Sequence, residues 1–207
     1  MSPDKPFALN DFLVEAGLQP LDSRHSAAFK AYLGLILRWN QRINLTSIRD
    51  EEGILRRHLV ESIACAQSLP VEIGNLLDFG SGAGLPGIPI ALCRPEIMVT
   101  LAESQNKKAA FLREALRVLG VSANVHAGRA ETLRSHFDCV VLRAVDHMEI
   151  VIKAGAKLAV PGGWLAVFTT TRDLRRLLDP VAESFARARV IPLPFSEDRI
   201  LALSQRS

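Results

Sequence analysis

The sequence predicts an α/β fold: a doubly wound, seven-stranded, mostly parallel sheet with helices on both faces. A helical extension over residues 1–70 packs on a single compact core over residues 71–207. Three observations carry this expectation. An apolar run, Leu76-Leu77-Asp78-Phe79, breaks into alternating glycines at Gly80, Gly82 and Gly84, as a buried strand feeding a tight loop does. After it, short β-like runs alternate with helical stretches, the rhythm of βαβ units. Before it, apolar residues recur at helical spacing, at Phe29, Leu33, Ile36 and Leu37 and again at Leu55, Leu59, Ile63 and Ala66.

A chain of 207 residues, 48% of them apolar, can bury one good core and needs no second domain. No apolar run approaches the roughly 20 residues of a membrane span, and Met1-Ser2-Pro3-Asp4-Lys5-Pro6 lacks the basic-then-apolar pattern of a signal peptide. A cytoplasmic protein with no membrane partner is expected. Cys65, Cys93 and Cys139 are far apart and form no C-x-x-C pair, which argues against a disulfide framework and against a zinc site. The formal charge is only +3, but the pI is about 9.0 and the cations are mostly arginine. An anionic partner such as RNA and an ordinary solvated surface are equally compatible with that balance. Without an evident exposed heptad the expected state is a monomer.

In the extension, Gly17 and Pro20-Leu21-Asp22 punctuate the first helices, and Asn44-Leu45-Thr46-Ser47 breaks the chain before the helix that carries Arg56-Arg57-His58. Its polar side offers Arg38, Arg42, Arg49, Arg56 and Arg57, interleaved with Asp50, Glu51, Glu52 and Glu61. Asn40, Asn44 and His58 read as hydrogen-bonding residues that lock a helical corner, in preference to ligand contacts.

The glycines of the loop permit positive φ and carry no Cβ, so a flat, charged ligand can lie against bare backbone N–H groups. The spacing is G-x-G-x-G, not the G-x-G-x-x-G of dinucleotide sites, which disfavours a nicotinamide oxidoreductase. Residues 88–93 begin the next helix, with Pro86 and Pro89 near a first turn that faces the ligand. A second strand over 97–103 ends in Glu103, about 23 residues past Gly80, where an acid meets ribose hydroxyls in such folds; the alternative is a helix cap or surface acid. The helix over 107–119 buries Phe111, Leu112, Ala115, Leu116 and Leu119 and stops at Gly120. A third strand over 123–127 leads to Ala130 and Glu131, placed for an adenine edge; Glu131 reads equally well as a helix cap. The fourth strand, 137–142, delivers Arg143 to the edge where ligands bind in open α/β sheets. Arg143 has three readings: an anchor for a cofactor carboxylate, an anchor for a target phosphate, or a salt bridge to a nearby acid. A helix over 150–158, a fifth strand over 162–168 and an antiparallel pair over 189–194 and 199–203 close the sheet.

The strand-acid-x-G-x-G-x-G loop resembles that of Rossmann-like class I S-adenosylmethionine-dependent methyltransferases. The whole chain resembles one family among them, GidB (RsmG), the bacterial methyltransferases of guanine N7 in 16S ribosomal RNA. The resemblance rests on Trp39-Asn40 with Asn44-Leu45-Thr46, Arg57-His58 with Ser62, Gly80-Ser81-Gly82-Ala83-Gly84-Leu85-Pro86-Gly87-Ile88-Pro89, Lys107-Lys108 with Phe111-Leu112, and Arg143-Ala144. It implies S-adenosylmethionine as cofactor, S-adenosylhomocysteine as product, and 16S rRNA or the small ribosomal subunit as partner, with the target guanine in the 530 loop. It also implies that Gly80 and Leu85 line the cofactor site, that Ala130 and Glu131 hold adenine, and that Arg143 lies at the cofactor and target end. Asp78, Gly82, Gly84 and Glu103 join the cofactor set on the general methyltransferase pattern. Three positions depart from the family: Glu61 replaces the usual Asp, Leu142 a common Ser, and Thr169-Thr170-Thr171 an expected Lys-Gly.

Guanine N7 carries a lone pair and no proton, so its methylation needs positioning and no general base. Arg143 is then expected to position and not to transfer a proton, and no metal is required. The alternative within the fold is a methyltransferase acting on a small molecule or protein.

Overall fold

The computed structural model describes residues 8–207; Met1–Pro6, read above for targeting, lies outside them. Helices occupy the first part of the described chain: α1 (Leu9–Glu15), α2 (Ser23–Asn40), α3 (Glu51–Ile54), a π-helical turn (Leu55–Val60) and α4 (Glu61–Ser68). The side chain of Asp22, in the Pro20-Leu21-Asp22 punctuation, caps α2 by accepting from His25 N at 2.7 Å. The α/β core follows as β1 (Asn75–Phe79), α5 (Gly87–Cys93), β2 (Met98–Glu103), α6 (Asn106–Leu119), β3 (Asn124–Ala127), β4 (Phe137–Arg143), α7 (Met148–Leu158), β5 (Ala159–Thr170), α8 (Leu174–Leu178), β6 (Arg189–Pro192) and β7 (Arg199–Gln205). Gly120 ends α6 at φ +63°, the left-handed C-cap that glycine takes without strain.

Among the described residues one seven-stranded sheet runs in the order β3-β2-β1-β4-β5-β7-β6. Strands β1 to β5 are parallel, and β7 is antiparallel to both β5 and β6. The antiparallel pair expected at the end of the chain is therefore present, with β7 inserted between β5 and β6. The fifth strand is longer than its predicted span, and the short helix α8 had no sequence expectation behind it.

Alternation along the central strands builds two cores. In β1, β4 and β5, Leu76, Cys139, Val141, Ala166 and Phe168 face one side, and Leu77, Val140, Leu142, Leu165 and Val167 face the other. The first side packs against the N-terminal helices together with α5 and α6, through Phe29, Leu33, Ile36, Leu59, Ile63, Phe111 and Leu112. The second takes α7 and α8, through Val151, Ile152 and Leu177. The N-terminal helices thus share one continuous core with the sheet. Between β1 and β4 the chain reverses the direction in which it builds the sheet, and the crevice at that switch point opens beyond the strands' C-terminal ends.

Candidate functional site

A cavity of about 600 Å³ occupies that crevice. The turns after β1, β2, β3 and β4 line it with Gly80 to Ala83, Glu103 to Gln105, Gly128 to Glu131 and Arg143 to Asp146. The N-terminal helices supply a further wall, from Leu45 to Ile48 and at Arg57 and His58.

The glycine loop is shaped differently from the sequence expectation. Its amides are not bare: the N–H groups of Gly80 and Ser81 both donate to Ala102 O, at 3.0 and 2.9 Å, and Gly82 N–H donates to Glu103 Oε2 at 2.9 Å. What the loop presents to the cavity is space where side chains would otherwise stand. An added Cβ at Gly82 (φ +55°) would meet only Gly80 O, 3.9 Å away. Gly84 (φ +81°) is different and corrects its placement among cavity residues: its Cβ would strike Ile88 Cδ1 at 2.5 Å and Tyr32 Oη at 3.0 Å, so it lets helices pack. Leu85 does line the cavity. The first turn of α5 is buried and does not open on the cavity.

Asp78 is the second correction. Its side chain is 1% exposed, does not line the cavity, and accepts from Gly87 N at 3.0 Å, bracing the loop from behind. Burial, with the nearby Glu103 as a smaller contributor, pushes its pKa up to about 7 against 3.8 for a free carboxyl, although the Gly87 bond pulls the other way. The native chain then holds a proton between about pH 4 and 7 that the unfolded chain has lost, so Asp78 lowers stability as pH rises through that window. The stability of Asp78→Asn relative to the parent, measured by denaturant titration, is expected to rise between pH 4 and 7 by a few kcal/mol, at about 1.4 kcal/mol per pKa unit, and then to level. A difference that stays flat across the window would show that this carboxyl ionises normally.

Glu103 ends β2 at the cavity, 6% exposed, with both oxygens fixed: Oε1 accepts from Gln105 N at 2.7 Å and Oε2 from Gly82 N. Each oxygen keeps lone-pair capacity for a further donor. Ala130, buried, and Glu131, exposed, lie together on the β3 side of the cavity, in a 3₁₀ turn.

The helical corner depends on Asn40. Its Oδ1 accepts from Leu45 N and Thr46 N at 2.9 and 3.1 Å, and its Nδ2 donates to Thr46 O and Ile48 O at 3.0 and 3.3 Å. Every hydrogen-bonding direction of the amide is used, as a corner lock requires. Asn44 does not share this role: it is exposed, and its Oδ1 accepts from Arg49 Nη2 at 3.4 Å. His58 lies on the corner, with Nε2 2.6 Å from Thr46 Oγ1, and lines the cavity as well. Arg56 turns away from the expected basic face, in the corner between the edge-to-face rings of Phe12 and Phe195 with its guanidinium 4.2 and 4.4 Å from the ring centres, and paired to Glu52.

Arg143 reaches from β4 across to these helices. Its Nη2 lies 2.7 Å from Glu61 Oε2 and donates to Arg57 O, and its Nη1 donates to Ser62 Oγ and His58 O at 3.0 and 3.4 Å. The two carbonyls belong to the π-helical turn, whose widened backbone sits at this corner. The guanidinium also lies over the Phe168 ring, 4.9 Å from its centre. The salt-bridge reading of Arg143 therefore holds, while the residue also lines the cavity. Burial pulls its pKa down and the Glu61 carboxylate opposes that.

Arg199 was not expected. Its Nε donates to Glu61 Oε1 at 2.8 Å; its Nη2 is 2.6 Å from the same oxygen but off the hydrogen-bond axis, which leaves the Nε contact as the directed one. One buried carboxylate thus joins α4, β4 and β7. No spacing in the chain could have revealed it, because the partners lie 82 and 138 residues apart. At the cavity wall, Arg57 and Arg129 are exposed cations and Lys108 is half-buried. Among the described residues no cluster of three or more His, Cys, Asp or Glu is arranged to hold a metal, and no helix is long and apolar enough to cross a membrane.

Comparison with known proteins gives four findings. Residues 25–182 match the family model GidB, rRNA small subunit methyltransferase G. The chain is 43% identical over 170 residues to ribosomal RNA small subunit methyltransferase G of Xanthomonas euvesicatoria pv. vesicatoria, covering 80% of this chain and 77% of the relative. It is 44% identical over 157 residues to the protein of that name from Stenotrophomonas maltophilia, covering 73% of each. Among solved structures, a SAM dependent methyltransferase from Aquifex aeolicus superposes with a TM-score of 0.60 at 13% identity, over 75% of this chain and 93% of that one.

Proposed function

Because the chain belongs to the GidB family, rRNA small subunit methyltransferase G, we propose that it transfers a methyl group from S-adenosylmethionine to N7 of one guanine of 16S rRNA, in the 530 loop. Its fold is that of the class I S-adenosylmethionine-dependent methyltransferases, and S-adenosylmethionine is its methyl donor. The observation that carries the finer reading is a single cavity with two kinds of wall: strand-end turns that suit a nucleoside, and a helical corner with cations beside it.

The strand-end side fits S-adenosylmethionine. Space stands open at Gly82, the fixed Glu103 carboxylate has lone pairs for two ribose hydroxyls, and Ala130 and Glu131 offer a surface and an acceptor for adenine. Gly80 and Leu85 complete that side. Once bound, the cofactor supplies an electrophilic methyl on a sulfonium and leaves as S-adenosylhomocysteine.

The chain's own residues then have to present N7 and hold charge. The nucleophile has no proton to lose, so no side chain is needed as a base. His58, held between Thr46 and Arg143, is placed to organise the corner. Arg143 fixes the π-helical turn against β4 and so positions the target wall. Arg57, Arg129 and Lys108 are available to RNA phosphates while the base is out of its stack.

The test is transfer of labelled methyl from S-adenosylmethionine to small ribosomal subunits that lack their own N7 methylation, followed by nuclease mapping. Label on N7 of one guanine in the 530 loop is expected. S-adenosylmethionine binding without label on RNA would move the substrate to a small molecule or a protein.

A further inference from the structure

The helical corner contains a hydroxyl whose hydrogen-bonding role can be worked out by elimination. Arg143 Nη2 lies 3.3 Å from His58 Nδ1. Nη2 shares its two hydrogens among Glu61 Oε2, Arg57 O and this nitrogen, and because a guanidinium only donates, the contact gives Nδ1 the lone pair. The imidazole proton is therefore on Nε2, which donates to Thr46 Oγ1. Burial of His58, and then Arg143, push its pKa down to about 3 against an upward pull from the Arg57 carbonyl, so at neutral pH the ring is neutral and carries a single proton. Thr46 Oγ1 also accepts from Ile48 N at 3.2 Å. A hydroxyl has two acceptor lone pairs and one donor hydrogen. Both lone pairs of Thr46 are occupied by protein N–H groups, and its own hydrogen has no protein acceptor among the described residues. Thr46 lines the cavity, on the wall that the sheet does not supply.

Resting on the guanine-N7 reading above, we propose that Thr46 is a specificity-determining residue whose hydroxyl donates to O6 of the target guanine. Guanine presents N7 and O6 as adjacent acceptors on one edge, so a donor on O6 holds that edge while N7 stays free for the methyl. Adenine presents an amine in place of O6. Thr46 cannot accept from that amine, because His58 and Ile48 already fill its lone pairs, so two donors would face each other. The relay Arg143, His58, Thr46 thus converts a hydroxyl that could serve either purine into one that serves guanine alone.

The test is a cycle between protein and substrate. Small subunits are reconstituted with ligated 16S rRNA that carries guanine or 2-aminopurine at the methylated position; 2-aminopurine keeps N7 and lacks O6. For the parent protein, kcat/KM is expected to fall about 10- to 100-fold from guanine to 2-aminopurine. Thr46→Val should show a comparable fall on guanine and almost no further fall on 2-aminopurine, while Thr46→Ser, which keeps the hydroxyl, should restore most of the activity. S-adenosylmethionine affinity, measured by calorimetry, should be the same in all three proteins. If Thr46→Val loses the same factor on both substrates, the hydroxyl only supports the corner and the inference is overturned. A parallel fall in cofactor affinity would overturn it too, by placing the hydroxyl on the cofactor. A parent that labels no guanine at all would instead defeat the underlying functional reading.

Discussion

Gly82→Val is expected to weaken S-adenosylmethionine binding by at least about 100-fold in a calorimetric titration, with loss of methyl transfer, while the protein remains folded. The new Cβ would stand in open space on the cavity side of the loop, and the two valine methyls would fill part of the volume where a nucleoside must lie. A β-branched residue at φ +55° adds strain of about 1–3 kcal/mol, small enough for the fold to survive. Gly84 is not an equivalent position, because its Cβ would collide with Ile88 and Tyr32 inside the core. Unchanged cofactor affinity in a folded Gly82→Val protein would mean that the cofactor does not pass this loop.

The second large effect is expected at Glu61. Its side chain is 2% exposed and is the single carboxylate between Arg143, 10% exposed, and Arg199, 22% exposed. Glu61→Ala leaves two guanidiniums close together with no counter-charge, and the cost of breaking such a pair is about 3–5 kcal/mol. For a chain of this length that corresponds to a fall in melting temperature of roughly 10 °C or more. Arg143→Ala should be milder in stability, since Glu61 keeps Arg199 and the cluster becomes neutral. Its methyl transfer should fall by more than its stability does, because the π-helical turn with His58 and Thr46 loses its tie to β4. Thermal melts of the two variants side by side decide the matter, and equal losses would show that the three charges do not act as one unit.

Much of the architecture was legible because it is written in local patterns. The nearly continuous apolar run in residues 137–142 and the apolar face at Phe111, Leu112, Ala115 and Leu116 announce β4 and α6 through their own geometry, and Gly120 ends α6 by a backbone preference of its own. The short helix α8 was missed: five residues give too little periodicity to register. The extra length of β5 before Gly162, Ala159 to Pro161, was missed because Pro161 reads as the edge of a strand.

The candidate site divides along the same line. The strand-loop-acid pattern put Gly80, Gly82 and Glu103 together because consecutive parallel strands bring their C-terminal ends to one edge. Which of the neighbouring residues face the cavity was decided elsewhere. Asp78 and Gly84 belong to the same motif but turn into the interior, one to brace Gly87 and the other to admit Ile88 and Tyr32.

By itself, then, the sequence determined the sheet and helix pattern, the glycine loop with its acid partner, and the family, all of which depend on residues near one another in the chain or on strand succession. Only the tertiary structure decided that Glu61 holds both Arg143 and Arg199, that the loop amides are already bonded, and that Thr46 meets His58 and Ile48 at the cavity wall. Those outcomes depend on groups dozens of residues apart competing for the same lone pairs and the same space, and no periodicity along a chain records which of them meet.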